Sequence, residues 1–225
     1  MNRLKWFVAI AAVAMTAGTA TFAQDQVDLK KMATRMRQNQ EELRQYSWET
    51  KMIFLVNNEQ RRVDIFTVRY VMGGMVEKMQ INSEVAKGNV RRPDGKKLKK
   101  KELEAAREFV IEVKDQLDGY LNPLFAEKAV ATSKILKGEG TLLLLSRDVV
   151  ATGDSVEIAI TESTQQPISA KIRTAIDGSP VALDIEFGTI EYGPNYTSRS
   201  ITTSVWQGFE LAIITENSNY VDQGS

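Results

Sequence analysis

The chain has no cysteine and no histidine among its 225 residues. That excludes Ser-His-Asp and Cys-His catalysis and the usual zinc sites. It also excludes a disulfide framework, so stability has to come from an ordinary apolar core. No Gly-rich phosphate loop follows a strand, and Gly73-Gly74 reads as a hairpin turn instead. Long apolar runs are missing as well. The uncharged run from Trp6 to about Ala17 is shorter than the roughly 20 apolar residues that span a bilayer. Arg3 and Lys5 precede it and Thr21-Phe22-Ala23 follows it, which is the layout of a secretory leader cleaved after Ala23. Residues 1–23 are therefore expected to be removed, leaving 24–225 as one domain in the periplasm of a Gram-negative bacterium or outside the cell.

Removal of Arg3 and Lys5 leaves 27 of the 29 basic residues against 29 acidic ones. A near-neutral, slightly acidic protein that leaves the cytoplasm is not expected to bind nucleic acid. The remaining route to catalysis is a pair of carboxylates. Asp184, Glu186, Glu210 and Glu216, however, alternate with apolar residues at strand positions facing solvent. No enzyme activity, cofactor or metal is expected.

What is present is periodicity. From 26 to 45, Leu29, Met32, Met36 and Leu43 recur at helical spacing among charged residues. Alternating stretches then run 46–56, 63–72 and 75–81, punctuated by Asn57-Asn58 and Gly73-Gly74, and predict a three-strand meander. A second helix is expected from about Leu98, with Leu103, Ala106, Val110, Val113 and Leu117 on one face. A short third helix is expected from Asn122-Pro123 to about Val130. Beyond Gly140 the period returns to two, in Val156/Ile158/Ile160, Ile168/Ala170/Ile172/Ile176 and Val181/Leu183/Ile185/Phe187. Hairpin turns are expected at Asp177-Gly178 and Gln207-Gly208. The fold class is α+β: a curled, unclosed antiparallel sheet of eight or nine strands, a half-barrel with helices covering its concave face.

That order of elements, the leader, the "LRQYSWETKMIF" passage from helix to first strand and the late run of alternating strands resemble a known superfamily. It comprises periplasmic lipoprotein carriers and outer-membrane lipoprotein receptors (LolA/LolB-like). A closer likeness is to secreted bacterial proteins of this layout whose function is not established. The resemblance covers nearly the whole mature chain and implies an unclosed barrel whose hollow takes up acyl chains. It implies no catalytic residue.

Two features bear on such a role. The six methionines of the mature chain, Met32, Met36, Met52, Met72, Met75 and Met79, all fall in the first helix and first three strands. Methionine adapts to irregular apolar partners, so Trp48, Met52, Phe54, Met75 and Met79 are candidate lining for an apolar cavity. The stretch "RRPDGKKLKKK" holds seven basic residues and one acid. Arg91, Arg92, Lys96, Lys97, Lys99, Lys100 and Lys101 are candidate contacts to an anionic surface. The sequence reading is a non-catalytic carrier for a lipid or acylated protein, working near a membrane surface or an envelope partner. Its alternative is an envelope interaction module with a filled core and no ligand.

Overall fold

The computed structural model describes residues 29–71, 74–88, 90–91, 95–118, 132–176 and 178–224. The expected leader, Met72, Gly73, Arg92, Asp177 and the short helix expected at 122–130 lie outside them. The first helix, α1 (Leu29–Leu43), precedes three strands, β1 (Tyr46–Val56), β2 (Glu59–Tyr70) and β3 (Val76–Val85). Helix α2 (Lys100–Asp118) follows. Seven strands complete the chain: β4 (Lys134–Lys137), β5 (Thr141–Arg147), β6 (Ser155–Thr161), β7 (Pro167–Ile176), β8 (Ser179–Thr189), β9 (Asn195–Trp206) and β10 (Phe209–Asp222).

All ten strands form one sheet in the order β3-β2-β1-β10-β9-β8-β7-β6-β5-β4, and the pairs are antiparallel. The sheet is thus a meander whose first and last long strands, β1 and β10, have closed on each other, while β3 and β4 are its edges among the described residues. Two-residue hairpins set much of the register. Asn57 and Asn58 (φ 49° and 62°) and Gln207-Gly208 (φ 48° and 81°) occupy the left-handed region that a primed turn requires. Register shifts occur in five of the ladders, at Ser47/Glu49, Phe54/Leu55, Ile65/Phe66, Ala159/Ile160 and Glu186/Phe187. Such bulges add local twist and bend, which curls the sheet. The expected curled, unclosed antiparallel sheet is present with ten strands rather than eight or nine. Strand β4 is only four residues long, too short for alternation to show in the sequence.

Helix α2 lies on the concave face. Its Ala106, Val110, Val113 and Leu117 are all at most 1% exposed, because their three-and-four spacing keeps them on one stripe. The N-terminal half packs with Phe54, Val56, Phe209, Leu211 and Ile213 of β1 and β10. The C-terminal half packs with Val156, Ile172, Leu183 and Ile185 of β6, β7 and β8. Strand β9 runs beneath the helix and turns small hydroxyl residues inward: Ser200, Thr202 and Ser204 pair across the sheet with Ile185, Leu183 and Val181. Their size lets α2 approach closely. The hydroxyls of Thr202 and Ser204 have no hydrogen-bond partner, although Thr202 is fully buried. A buried unpaired hydroxyl costs stability, and valine is of nearly the same shape. Thr202→Val is therefore expected to raise the unfolding free energy by about 1 kcal/mol, measured by urea titration; a loss of similar size would show that the hydroxyl has a partner, such as a buried water.

Candidate functional site

Strand β1 positions the first half of the candidate site. Trp48, Thr50, Met52 and Phe54 occupy alternate residues on the concave side, and Met52 and Phe54 join the cluster beneath α2. Nearer α1 this row meets an aromatic cluster. Trp48 stacks on Tyr220 at 5.6 Å, with 14° between the planes, and tilts against Tyr70 at 5.5 Å; Tyr196 lies 4.3 Å from Tyr220. All four rings are half-buried. Tyr196 also lies over Gly188, where an added Cβ would come within 2.9 Å of the ring. Only glycine fits beneath it.

A chain of hydrogen bonds holds the indole. Trp48 Nε1 donates to Thr50 Oγ1 (3.0 Å), Thr50 Oγ1 donates to Asn217 Oδ1 (2.7 Å), and Asn217 Nδ2 donates to the Thr197 carbonyl (2.8 Å). Thr50 is buried, and the chain crosses β1, β10 and β9. Helix α1 is fixed at the same end of the sheet. Asn39 Nδ2 donates to the Asn195 carbonyl (2.8 Å) and its Oδ1 accepts from the Asn195 amide (2.6 Å). Burial raises the phenol of Tyr70 and that of Tyr220, the latter helped by Tyr196 and Tyr70 beside it. Both phenols are neutral donors at physiological pH.

A second knot ties α2 to the sheet. The Asp64 carboxylate, buried on β2, accepts from Arg62 Nε (2.8 Å), Ser83 Oγ (2.7 Å) and Arg107 Nη2 of α2 (2.7 Å). Burial alone would raise its pKa. The hydrogen bonds from Ser83 and Arg62 and the charge and hydrogen bond of Arg107 outweigh that and hold the group below its ordinary value of 3.8.

The sequence-derived cavity residues divide into two sets. Trp48, Met52 and Phe54 share the concave face, whereas Met75 and Met79 are 67% and 62% exposed at the outer edge of the sheet. Met79 pairs with Thr67, which belongs to the convex side of β2. No residue of β3 is buried. Of the basic candidates, Arg91, Lys96, Lys97, Lys99, Lys100 and Lys101 are exposed together before and at the start of α2; Arg92 lies outside the described residues. Periodicity did not single out Tyr70, Tyr196, Tyr220, Asp64 or Arg107. Their only signal was that three of the six tyrosines stand near strand ends that the meander brings together.

Side chains of α2 fill the middle of the concave face. Open grooves lie elsewhere among the described residues. One of about 490 Å³ is lined by Glu108, Ile111, Glu112, Asp115 and Gln116 of α2. Another, of about 470 Å³, runs along hairpin ends past Asn58, Arg173, Pro180, Val205 and Glu210. Among the described residues no group of three or more acidic side chains is placed to hold a metal ion, and no helix is long and apolar enough to cross a membrane. Asp184, Glu186 and Glu216 form ion pairs with Arg173 (2.6 Å), Arg199 (3.7 Å) and Lys51 (3.4 Å) on the convex side.

No family model matches the chain, and no curated protein matches it. Among solved structures it is similar to a LolA superfamily protein from Nitrosomonas europaea, with 15% identity over 84% of this chain and 92% of that one and a TM-score of 0.36. It is also similar to an outer membrane lipoprotein-sorting protein domain from Vibrio parahaemolyticus, with 10% identity, coverage of 87% and 92%, and a TM-score of 0.42. A third similar structure is MucB in complex with MucA(peri), with 10% identity, coverage of 88% and 100%, and a TM-score of 0.24.

Proposed function

We propose that the protein is a non-catalytic envelope carrier that holds the apolar part of an amphiphile on the concave face of β1, β2 and β10, at the end framed by α1. The observation that carries this reading is the aromatic cluster. Tyr70, Trp48, Tyr220 and Tyr196 touch one another in that order and the Trp48 indole is held by the Thr50–Asn217 hydrogen bonds, yet none of the rings is fully buried. Rings that served only as core would be sealed, whereas a rigid and incompletely covered aromatic surface suits a ligand with an apolar body and a polar head. Beyond buried Thr50 the row continues into half-buried Met52 and buried Phe54, so an alkyl chain lying against the rings would end at the apolar cluster beneath α2.

A second reading is favoured by β3. This ten-residue edge strand exposes Val76, Met79, Ile81 and Val85 together with a backbone edge that no described strand pairs. Such an edge is a template for an added strand from a partner protein.

Binding of a long-chain lysophospholipid to the mature protein separates the two. The mature chain has two tryptophans, Trp48 and Trp206, so a Trp206→Phe variant reports on Trp48 alone. The carrier reading expects a saturable change in Trp48 emission, abolished by Tyr220→Ala, and lipid adducts in native mass spectra of the purified protein. A flat titration and adduct-free spectra would leave the strand-addition module as the function.

A further inference from the structure

The basic stretch before α2 is a built element. Arg91 and Lys97 form an antiparallel bridge, the Leu98 amide donates to the Val90 carbonyl (2.8 Å), and Arg91 Nη1 donates to the Gly95 carbonyl (3.2 Å). Gly95 takes φ +83° in open space. Val90 and Leu98, 6% and 9% exposed, plug this small hairpin into the cluster formed by Phe54, Val56, Phe209 and Trp206. The apolar pair is inward and the cations are outward: Arg91, Lys96, Lys97, Lys99, Lys100 and Lys101 are all exposed. Helix energetics do not account for them. Lysines in a first turn oppose the macrodipole, and Glu102 is the single acid there, its carboxylate accepting from the Lys99 amide (2.8 Å) as a helix cap.

The surroundings indicate what the cations meet. Val85, 62% exposed, ends β3, and Val205, 38% exposed, precedes half-buried Trp206 at the end of β9, at the same end of the sheet. The acids nearby are Glu59 and Glu210 beside the hairpin turns, Glu84 beside Val85, and Glu102 and Glu104 at the start of α2, so the cations remain in excess. Six cations with exposed valines and a tryptophan at their margin match the chemistry of an anionic bilayer surface, where lysines neutralise headgroups and indoles favour the interface.

We propose that this protein docks reversibly on an anionic lipid leaflet through the Val90–Leu98 basic hairpin and the first turn of α2. The β1–β2 and β9–β10 turns then face the membrane and the aromatic end points away. The inference goes beyond the carrier reading and holds whatever the concave face binds.

The test is partitioning of the full mature protein onto phosphatidylcholine vesicles with and without phosphatidylglycerol. Binding is expected only to the anionic vesicles and is weakened by salt, since screening acts over about 8 Å at physiological ionic strength. The triple variant Lys97→Gln/Lys99→Gln/Lys100→Gln should lose affinity on the order of a hundredfold, at about fivefold per lysine. The matching Lys→Arg variant should bind like the parent, and circular dichroism checks that both are folded. In a Trp48→Phe background, anionic vesicles should blue-shift the emission of Trp206. Equal partitioning onto both vesicle types, or an unchanged triple variant, would overturn the proposal. Absence of vesicle binding, with the triple variant losing affinity for polyglutamate instead, would overturn it in favour of an acidic protein partner.

Discussion

Replacing Asp64 with alanine is expected to lower the unfolding free energy by about 3 kcal/mol, the low end for breaking a buried ion pair. The carboxylate is 2% exposed and holds Arg62 of its own strand, Ser83 of β3 and Arg107 of α2. Its removal takes a partner from two arginines whose side chains are 22% and 20% exposed; Arg62 keeps Glu104 at 3.7 Å and water reaches both in part, which keeps the loss from the top of the range. The pH dependence has a defined sign. The folded state holds this carboxyl below 3.8, so its contribution is complete above about pH 4, the unfolded value. It disappears as the pH falls through the lower folded-state value. Urea titrations of parent and Asp64→Ala should therefore differ most near neutrality and converge on acidification. A gap that widened below pH 4 would contradict the assignment. Because Arg107 belongs to α2, hydrogen exchange in that helix should also rise in the variant.

Phe209→Ala is expected to cost about 4 kcal/mol, within the range for emptying a buried aromatic position. Phe209 is 1% exposed, follows the Gln207-Gly208 turn and packs in the cluster where β1, β10, the basic hairpin and the first half of α2 meet. Val90 and Leu98 belong to the same cluster, so a gap there loosens the seat of the basic hairpin. The variant should consequently lose both global stability, seen as a lower denaturant midpoint, and vesicle binding. A cost below about 1 kcal/mol would mean that the cluster collapses onto the gap and that α2 is held mainly by its C-terminal half.

Particular residues show how far local reasoning reached. Spacing alone placed Ala106, Val110, Val113 and Leu117 on one buried stripe, and alternation alone placed Val181, Leu183 and Ile185 inside; all seven are at most 3% exposed. Asn57-Asn58 and Gln207-Gly208 were readable as turns because few residues tolerate a left-handed backbone. Met75 and Met79 show the opposite. Their pattern is that of a strand with an apolar side, but β3 is an edge and nothing covers that side among the described residues.

The sequence by itself determined the kinds of element, their order and most inward positions, because helical and strand periods are local properties of the backbone. Tertiary structure decided which strands became edges, since β1 pairs with β10 across more than 150 residues of chain. It decided that α2 covers the middle of the concave face. It also assembled Trp48, Tyr70, Tyr196 and Tyr220, and joined Asp64 to Arg107, 43 residues further on. No periodicity encodes such partners. They meet because five bulges bend the ladders and closure of β1 on β10 sets where each strand end arrives.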